Sequence, residues 1–379
     1  MGTPEPRLGI VYEHPEWFAP LFAEVERREI PYDRIDVGAH AFDPDVPEVP
    51  WTIVLNRMSP SAYLRGHAQA IMYTREFLRY LEVAGVDVVN GADAFALETS
   101  KVAQLLLLRR LGLPAPRARG SHHPAQGPVA AAGLTFPVIV KPNIGGSGAG
   151  IQRFDSPEAL QMATESGTLD LGIDHTALVQ EFLPARDGHI VRVEVLDDRY
   201  LYAIKVYPNF EAGFNLCPAD ICQPDAVVET SAASRAAFSA DLCPVDLPRV
   251  ALRVEGYTPP GAVITDVLAI ARAAGFDLGG VEYLIDDRNG RIIFYDINVL
   301  SNFVTDAVHV VGFDPYAVLV DYLVVRGRLR APAGALVVPK NQGQRESRTG
   351  APASRVFQLL SGAIYFSPGL VLAIKLQPV

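Results

Sequence analysis

Cysteine is scarce in this chain of 379 residues: there are three, Cys217, Cys222 and Cys243. So few cysteines exclude a disulfide framework for a protein of this size, and their spacing does not match a zinc site. The first residues also lack the charged and then apolar layout of a signal peptide. Both features favour a cytoplasmic location, where thiols stay reduced.

An excess of positive charge is also missing. The chain has 33 Lys and Arg residues against 43 Asp and Glu residues, a net charge of -10, and no dense basic run. An apolar stretch near the C-terminus, "LLSGAIYFSPGLVLAI", is interrupted by Ser361, Ser367 and Pro368. We therefore expect neither a nucleic-acid partner nor a membrane span.

The length and the hydrophobic content of 49% are those of a globular protein with two or three domains. Short β-branched runs alternate with helical patterns at 16–29 and 67–84, which predicts an open α/β layer with a parallel sheet. A helix is predicted from about Asp93 to Gly112, and residues 118–133 are expected to be loose. A further helix is predicted over 156–166.

Two hairpins are predicted in the second half, with Asp197-Asp198 and Asn289-Gly290 at their turns. The pattern gives an α/β and α+β chain. Its expected divisions are an N-terminal α/β domain, a central part with a glycine loop, a part with the acidic hairpin and a tail of unclear structure: 1–95, 96–180, 181–330 and 331–379.

The segment "PVIVKPNIGGSGAGIQRF", residues 137–154, resembles a phosphate loop, but Lys141 precedes its glycines and a strand follows them. This order excludes a Walker loop, in which the lysine follows the last glycine and opens a helix. The glycine spacing excludes the dinucleotide-binding fingerprint and the nucleophile elbow. Two interpretations stay open: a hairpin whose backbone N–H groups approach phosphate oxygens, or a mobile turn beside a surface lysine.

The later stretch "GGVEYLIDDRNGRIIFYDINV" contains the carboxylates Glu282 and Asp296 and the amide Asn298 on two successive strands. Asp296 and Asn298 are two apart on one strand, hence on one face, and pairing with the previous strand can bring Glu282 alongside. Such oxygen ligands suit Mg²⁺ bound to nucleotide phosphates. The alternative is an edge hairpin with solvated acids, which describes Asp286 and Asp287 better than Asp296 in its apolar surroundings.

In this order the motifs resemble the ATP-grasp superfamily, and most closely its RimK-like carboxylate–amine ligases, over about residues 95–325. The resemblance implies an ATP-grasp fold behind an N-terminal α/β domain. Lys101 and Lys141 match the two nucleotide lysines, and 145–150 matches the flap over the phosphates, with Gly145, Gly146, Ser147 and Gly148 as its binding residues.

The same resemblance assigns the remaining roles. "VQEFL" matches the segment joining the two lobes, so the adenine would contact Gln180, Glu181, Phe182 and Leu183, and Asp187 would hold the ribose. Arg192 and Lys205 match catalytic basic positions near the γ-phosphate and the acyl group. The metal ligands would be Glu282, Asp296 and Asn298, binding Mg²⁺ or Mn²⁺.

Two positions depart from the family pattern. The family has Asp and then Glu-x-Asn at the metal site, whereas this chain has Glu282 and then Asp296-x-Asn298. The acidic residue found two positions before the strand arginine is Ile190 here.

The chemistry that the resemblance implies is ATP-dependent formation of an amide or peptide bond through an acylphosphate, with release of ADP and phosphate. The substrates would be a small carboxylate and an amine, such as amino acids or peptides. A non-catalytic ATP-binding module and a small-molecule kinase are the alternatives, and a homo-oligomer stays open. Candidate substrate contacts are Arg57, Asn215, Ser301 and Asn302.

Overall fold

The computed structural model describes residues 6–46, 48–208, 213–219 and 252–330. The apolar stretch near the C-terminus, Cys222, Cys243 and the tail 331–379 lie outside these residues. None of the helices in the described part of the chain is long and apolar enough to cross a membrane.

The N-terminal layer is a parallel sheet, as the alternating pattern predicts. Its strands stand in the order β2-β1-β3-β4 and are β1 (Leu8–Tyr12), β2 (Tyr32–Asp36), β3 (Ile53–Asn56) and β4 (Asp87–Val89). The helices α1 (Ala19–Arg27) and α2 (Ala68–Val83) lie within the predicted helical stretches. The central strand β1 is buried along its whole length, because helices cover both faces of a parallel sheet.

A second sheet, antiparallel, holds the glycine loop. Its order is β5-β8-β6-β7, with β5 (Ala118–Ser121), β6 (Val138–Pro142), β7 (Gln152–Phe154) and β8 (Ala177–Glu181). The helices α5 (Gly127–Ala131) and α6 (Pro157–Glu165) pack on it, whereas α3 (Ala92–Glu98) and α4 (Lys101–Arg110), which precede it in the chain, contact a helix and a strand of the third sheet described below. Because β6 and β7 pair directly, the prediction of strand, glycine loop and strand is confirmed.

Two predictions in this region are wrong in detail. The single helix expected up to Gly112 is two helices, because Ser100 leaves the helical conformation and its side chain accepts a hydrogen bond of 3.1 Å from Ala103 N. The segment expected to be loose contains β5 and the short helix α5, since β5 pairs with β8 at a distance in sequence that local patterns do not report.

The third sheet is antiparallel and carries the acidic hairpin. Its order is β11-β10-β9-β12-β13, with β9 (Ile190–Leu196), β10 (Arg199–Tyr207), β11 (Arg253–Tyr257), β12 (Leu278–Ile285) and β13 (Ile292–Asn298). Both predicted hairpins are confirmed, since β9 pairs with β10 and β12 pairs with β13. The helices are α7 (Gly261–Ala274), α8 (Ala307–Val311) and α9 (Pro315–Gly327).

The two faces of the third sheet have different partners. One face buries valines of β9 against α7, where Val263, Val267 and Ile270 lie in the same apolar cluster. The opposite face belongs to a cluster that also contains β1, α1 and α9. In this cluster α9 packs on α1, and Asp321 of α9 forms an ion pair with Arg28. Arg192, Glu194 and Glu282 of the third sheet are buried.

Candidate functional site

One cavity collects residues from the second and third sheets and from loops of the N-terminal layer. It is lined by β6, β8, the glycine loop, β12, β13 and segments that follow β1 and β3. Of the residues predicted for the site, those that line it are Lys101, Lys141, Gly145, Gly146, Ser147, Gly148, Gln180, Glu181, Phe182, Leu183, Arg192, Glu282, Asp296, Asn298 and Asn302. Distant motifs of the sequence thus meet at one place.

The two lysines converge on one carboxylate. Lys101 Nζ lies 2.7 Å from Asp296 Oδ1, and Lys141 Nζ lies 2.8 Å from the same atom. Lys101 begins α4 directly after the cap residue Ser100, and its backbone N–H donates to Asn143 O at 3.1 Å. The start of α4 is therefore tied to the segment after β6, which brings the two ammonium groups together.

Burial and charge act against each other at these groups. Burial raises the pKa of Asp296, but the ammonium groups of Lys101 and Lys141 together lower it by more. The pKa of Asp296 therefore lies well below its usual range. Burial also lowers the pKa of Lys141, and the lowering outweighs the attraction of Asp296. The pKa of Lys101 is raised, because Asp296 and Glu98 outweigh its burial.

Glu282 stands directly opposite Asp296 in the pairing of β12 with β13, and Asn298 stands opposite Gly280. All three predicted metal ligands therefore lie on one face, as their spacing predicts. Glu282 accepts hydrogen bonds from Tyr295 Oη at 2.8 Å and from Asn298 Nδ2 at 3.0 Å. Burial and the nearby Asp296 raise the pKa of Glu282.

The chemistry of this donor set fits a magnesium ion. Carboxylate and amide oxygens are hard ligands, which Mg²⁺ prefers over nitrogen or sulfur. Within the described residues, no group of three or more His, Cys, Asp or Glu side chains is arranged to hold a metal. The third oxygen would therefore come from the amide of Asn298, beside Glu282 and Asp296.

Arg192 lies on the same face, because β9 pairs it with Glu282. Its Nη1 is 3.4 Å from Glu282 Oε1. Burial lowers its pKa, but Glu194 and Glu282 outweigh this effect and the pKa is raised. The guanidinium therefore stays charged at the edge of the cavity.

Lys205 is not part of this arrangement, which corrects the prediction. β10 pairs Ile204 with Arg192 and Lys205 with Val191, so Lys205 projects from the opposite face of the sheet. There its Nζ lies 4.9 Å from the centre of the Tyr257 ring. Successive side chains of a strand point to opposite faces of the sheet. The sequence alone did not determine whether Lys205 or its neighbours face the cavity.

The glycine loop approaches two other segments closely. Ser147 and Gly148 have φ values of 53° and 69°. A side chain at Gly148 would overlap the carbonyl oxygen of Phe214, and a Cβ at Gly146 would lie 3.1 Å from Ser61 Cβ. The loop therefore covers the cavity in a way that requires glycine at position 148.

In the segment that joins the second and third sheets, some polar groups already have hydrogen-bond partners within the protein. The Glu181 carboxylate accepts hydrogen bonds from Thr135 N at 2.9 Å and Arg117 Nη1 at 3.2 Å. Phe182 N donates to Pro137 O at 2.9 Å, so this N–H is not free for a base as the resemblance implied. Asp187 is exposed and is not among the residues that line the cavity.

A further part of the lining, which we call the neutral wall, is formed by uncharged side chains. It consists of Trp17, Ser59, Pro60, Ser61, Leu216, Cys217, Leu300 and Asn302. Apart from Asn302, none of these was predicted as a site residue. "NRMSPS" after β3 is the sequence signal that could have indicated Ser59 and Ser61.

Three predicted substrate contacts lie behind this lining. Arg57 is 2% exposed, and its Nη2 donates to Ser301 O at 2.7 Å and to Asn302 Oδ1 at 3.1 Å. Asn215 Oδ1 accepts from Cys217 N at 3.0 Å. Arg57, Asn215 and Ser301 thus support the cavity rather than line it, which corrects their prediction as substrate contacts.

Glu98 was also missed. It is 3% exposed, lines the cavity beside Lys101 and accepts a hydrogen bond from Val299 N. Burial raises its pKa. Its sequence position, three residues before Lys101, gave no signal, because the chain between them is not one continuous helix.

Comparison with known proteins gives no match to a family model. A D-alanine–D-alanine ligase from Geobacter sulfurreducens is 31% identical over 151 residues, which are 38% of this chain and 46% of that protein. A probable alpha-L-glutamate ligase from Pseudomonas putida is 27% identical over 139 residues, 36% of this chain and 45% of the other. The matches span about half the length of these curated relatives.

Solved structures match over much more of the chain. The ATP-grasp ligase PsnB in complex with a minimal precursor has a TM-score of 0.57 and 17% identity, covering 85% of this chain and 100% of its own. A RimK domain ATP-grasp protein from Sphaerobacter thermophilus has a TM-score of 0.57 and 18% identity, covering 83% and 98%. The chain therefore has the ATP-grasp fold, and in sequence it is similar to D-alanine–D-alanine and alpha-L-glutamate ligases.

Proposed function

We propose that this protein joins a carboxylate to an amine at the expense of ATP, through an acylphosphate, and releases ADP and phosphate. The observation that carries the proposal is the convergence of Lys101 and Lys141 on Asp296, directly opposite Glu282, within one cavity. Phosphoryl transfer requires positioning and charge neutralisation more than covalent help from the protein. This arrangement supplies both.

Each residue has a distinct task in this reaction. Lys101 and Lys141 hold the phosphates of ATP, and Arg192 stabilises charge on the carboxylate that receives the γ-phosphate. Glu282, Asp296 and Asn298 would hold Mg²⁺ or Mn²⁺, which neutralises phosphate charge when bound. The glycine loop excludes water, so that the acylphosphate meets the amine before it hydrolyses.

The neutral wall indicates the kind of group that the substrates present. Trp17, Pro60, Leu216 and Leu300 are apolar, and Ser59, Ser61 and Asn302 offer neutral hydrogen-bond partners. The charged side chains directly behind this wall, Arg57 and Arg65, already contact Asn302 at 3.1 Å and Ser61 at 3.4 Å, and Arg65 is paired with Glu13. An additional charge on a substrate would therefore be costly to bury there. We propose that the substrate is an amino acid or peptide whose side chain is uncharged. We also propose a cytoplasmic location, which the small number of cysteines favours.

ADP release by the purified protein tests the proposal, with Mg²⁺-ATP and pooled amino acids, dipeptides and small carboxylic acids. Release that depends on the pool and is lost in both Lys141→Ala and Asp296→Ala supports a ligase. Nucleotide binding without release would instead favour an ATP-binding module. Release that needs a hydroxyl compound and no amine would favour a kinase.

A further inference from the structure

A second carboxylate, Glu194, lies behind the arginine of the site. It is on β9 two residues after Arg192, and it is 0% exposed. Arg192 Nε donates to Glu194 Oε1 at 2.7 Å, and Ser301 Oγ lies 2.6 Å from each of its oxygens. Burying a full charge in a sheet is costly unless it is paired and hydrogen-bonded, as it is here.

The contacts of Glu194 fix the orientation of Arg192. The three nitrogens of the guanidinium have three different partners: Nε has Glu194, Nη2 has Ser301 Oγ at 2.6 Å, and Nη1 has Glu282 Oε1 at 3.4 Å. Because the guanidinium is planar and rigid, holding two of its nitrogens determines where the third one points. Glu194 and Ser301 thus direct Nη1 toward Glu282.

The neighbouring strand makes room for this pair. β12 places Gly280 opposite Glu194, and a Cβ at Gly280 would lie 2.8 Å from Glu194 Oε1 and 3.0 Å from Arg192 Nε. The backbone of β12 therefore covers both charges closely. Water is excluded from the pair, which strengthens its hydrogen bonds.

We propose that Glu194 is a positioning residue of the reaction. It acts through Arg192, holding the guanidinium where it stabilises the carboxylate and phosphate during transfer. The proposal rests on the proposed function and adds to it a residue that lies outside the cavity lining. A purely structural role would predict lost stability without a specific dependence on Arg192.

Four proteins test the proposal in the ADP-release assay: the unaltered chain, Glu194→Gln, Arg192→Met and the double variant Arg192→Met/Glu194→Gln. We expect Glu194→Gln to lower kcat about 10- to 100-fold, the range for residues that orient a reactive group, with a much smaller change in the KM for ATP. In the Arg192→Met background the Glu194 substitution should lower kcat no further. Glu24→Gln is the matched control, since Glu24 is a buried partner of Arg27 and Arg28 outside the cavity.

A second measurement does not need turnover. Hydrogen exchange of the Arg192 Nε–H, followed by NMR and assigned by its loss in Arg192→Met, should be slow in the unaltered chain and faster in Glu194→Gln. An unchanged exchange rate, or a full additional loss of kcat in the double variant, would overturn the role of Glu194. Absence of ADP release by the unaltered chain would refute the proposed function, and the exchange rates would still decide whether Glu194 holds Arg192.

Discussion

The two sides of the cavity differ in charge. One side, which we call the charged side, holds Lys101, Lys141, Arg192, Glu282 and Asp296, and all of them are paired with one another or with neighbours. The neutral wall is the part of the lining that is made of uncharged side chains. Under the proposed function, the charged side would bind the phosphates of ATP and the neutral wall would select the substrates that are joined.

The largest expected effect comes from the carboxylate shared by the two lysines. Asp296→Asn should lower ADP release by about a thousandfold or more, because a bound metal ion stabilises the transition state by several kcal/mol. It should also destabilise the fold by about 3–5 kcal/mol, since two buried ammonium groups lose their counter-charge. Steady-state kinetics and urea unfolding measure the two effects.

The control for that change is Asp286→Asn in the same hairpin. Asp286 is also buried and is paired with Arg288, at 2.8 Å, but it does not line the cavity. The Asp286→Asn variant should be less stable than the unaltered chain but should keep its kcat. Equal losses of kcat in both variants would contradict a special role for Asp296.

The next largest effect is expected at the glycine loop. In Gly148→Ala the new methyl group would overlap Phe214 O, so the loop could not cover the cavity. Because water would then hydrolyse the acylphosphate after ADP has formed, the amount of amide made per ADP released should fall about tenfold. Gly167→Ala is matched in strain, because Gly167 has a φ of 71° but open space around it. Similar ratios of amide to ADP in the two variants would show that closure of the loop does not protect the acylphosphate.

The neutral wall should respond differently from the charged side. Trp17→Phe keeps an aromatic ring beside Arg65, which lies 4.5 Å from the Trp17 ring centre, but it reduces the surface that faces the cavity. The KM for the carboxylate or amine substrate should rise about tenfold, in the range of a small change in an apolar pocket. The KM for ATP should stay the same. An equal rise in the KM for ATP would contradict the assignment of different substrates to the two sides of the cavity.

The smallest effect is expected at Lys205. Its side chain projects from the opposite face of the third sheet, over Tyr257, so Lys205→Ala should change kcat by less than about twofold. Arg192→Lys is measured for comparison, because it removes a planar guanidinium whose three nitrogens are all hydrogen-bonded. The pair of variants distinguishes the two faces of the sheet. A loss of activity in Lys205→Ala as large as in Arg192→Lys would contradict the assignment of faces.

The sequence predicted the charged side better than the neutral wall for a physical reason. Lysines, acids and glycines with special spacing are rare enough to stand out, and a period of two placed Asp296 and Asn298 on one face. Trp17 and Leu300 are ordinary apolar residues, and only tertiary folding shows which of them line a cavity rather than a core.

Long-range pairing limited the prediction of the fold in the same way. The parallel layer and both hairpins follow from local patterns, whereas β5 and the packing of α9 on α1 depend on partners far away in sequence. The same limit applies to Lys205. A shift of one residue along a strand moves a side chain to the opposite face of the sheet, and the sequence does not determine that shift.

The measurement that tests the central claim most directly follows oxygen from the carboxylate substrate. With a substrate identified from the pool and labelled with ¹⁸O in its carboxylate, the reaction should place one labelled oxygen in the released phosphate, because the acylphosphate passes that oxygen on. Unlabelled phosphate, or formation of AMP and pyrophosphate, would contradict an acylphosphate at this site.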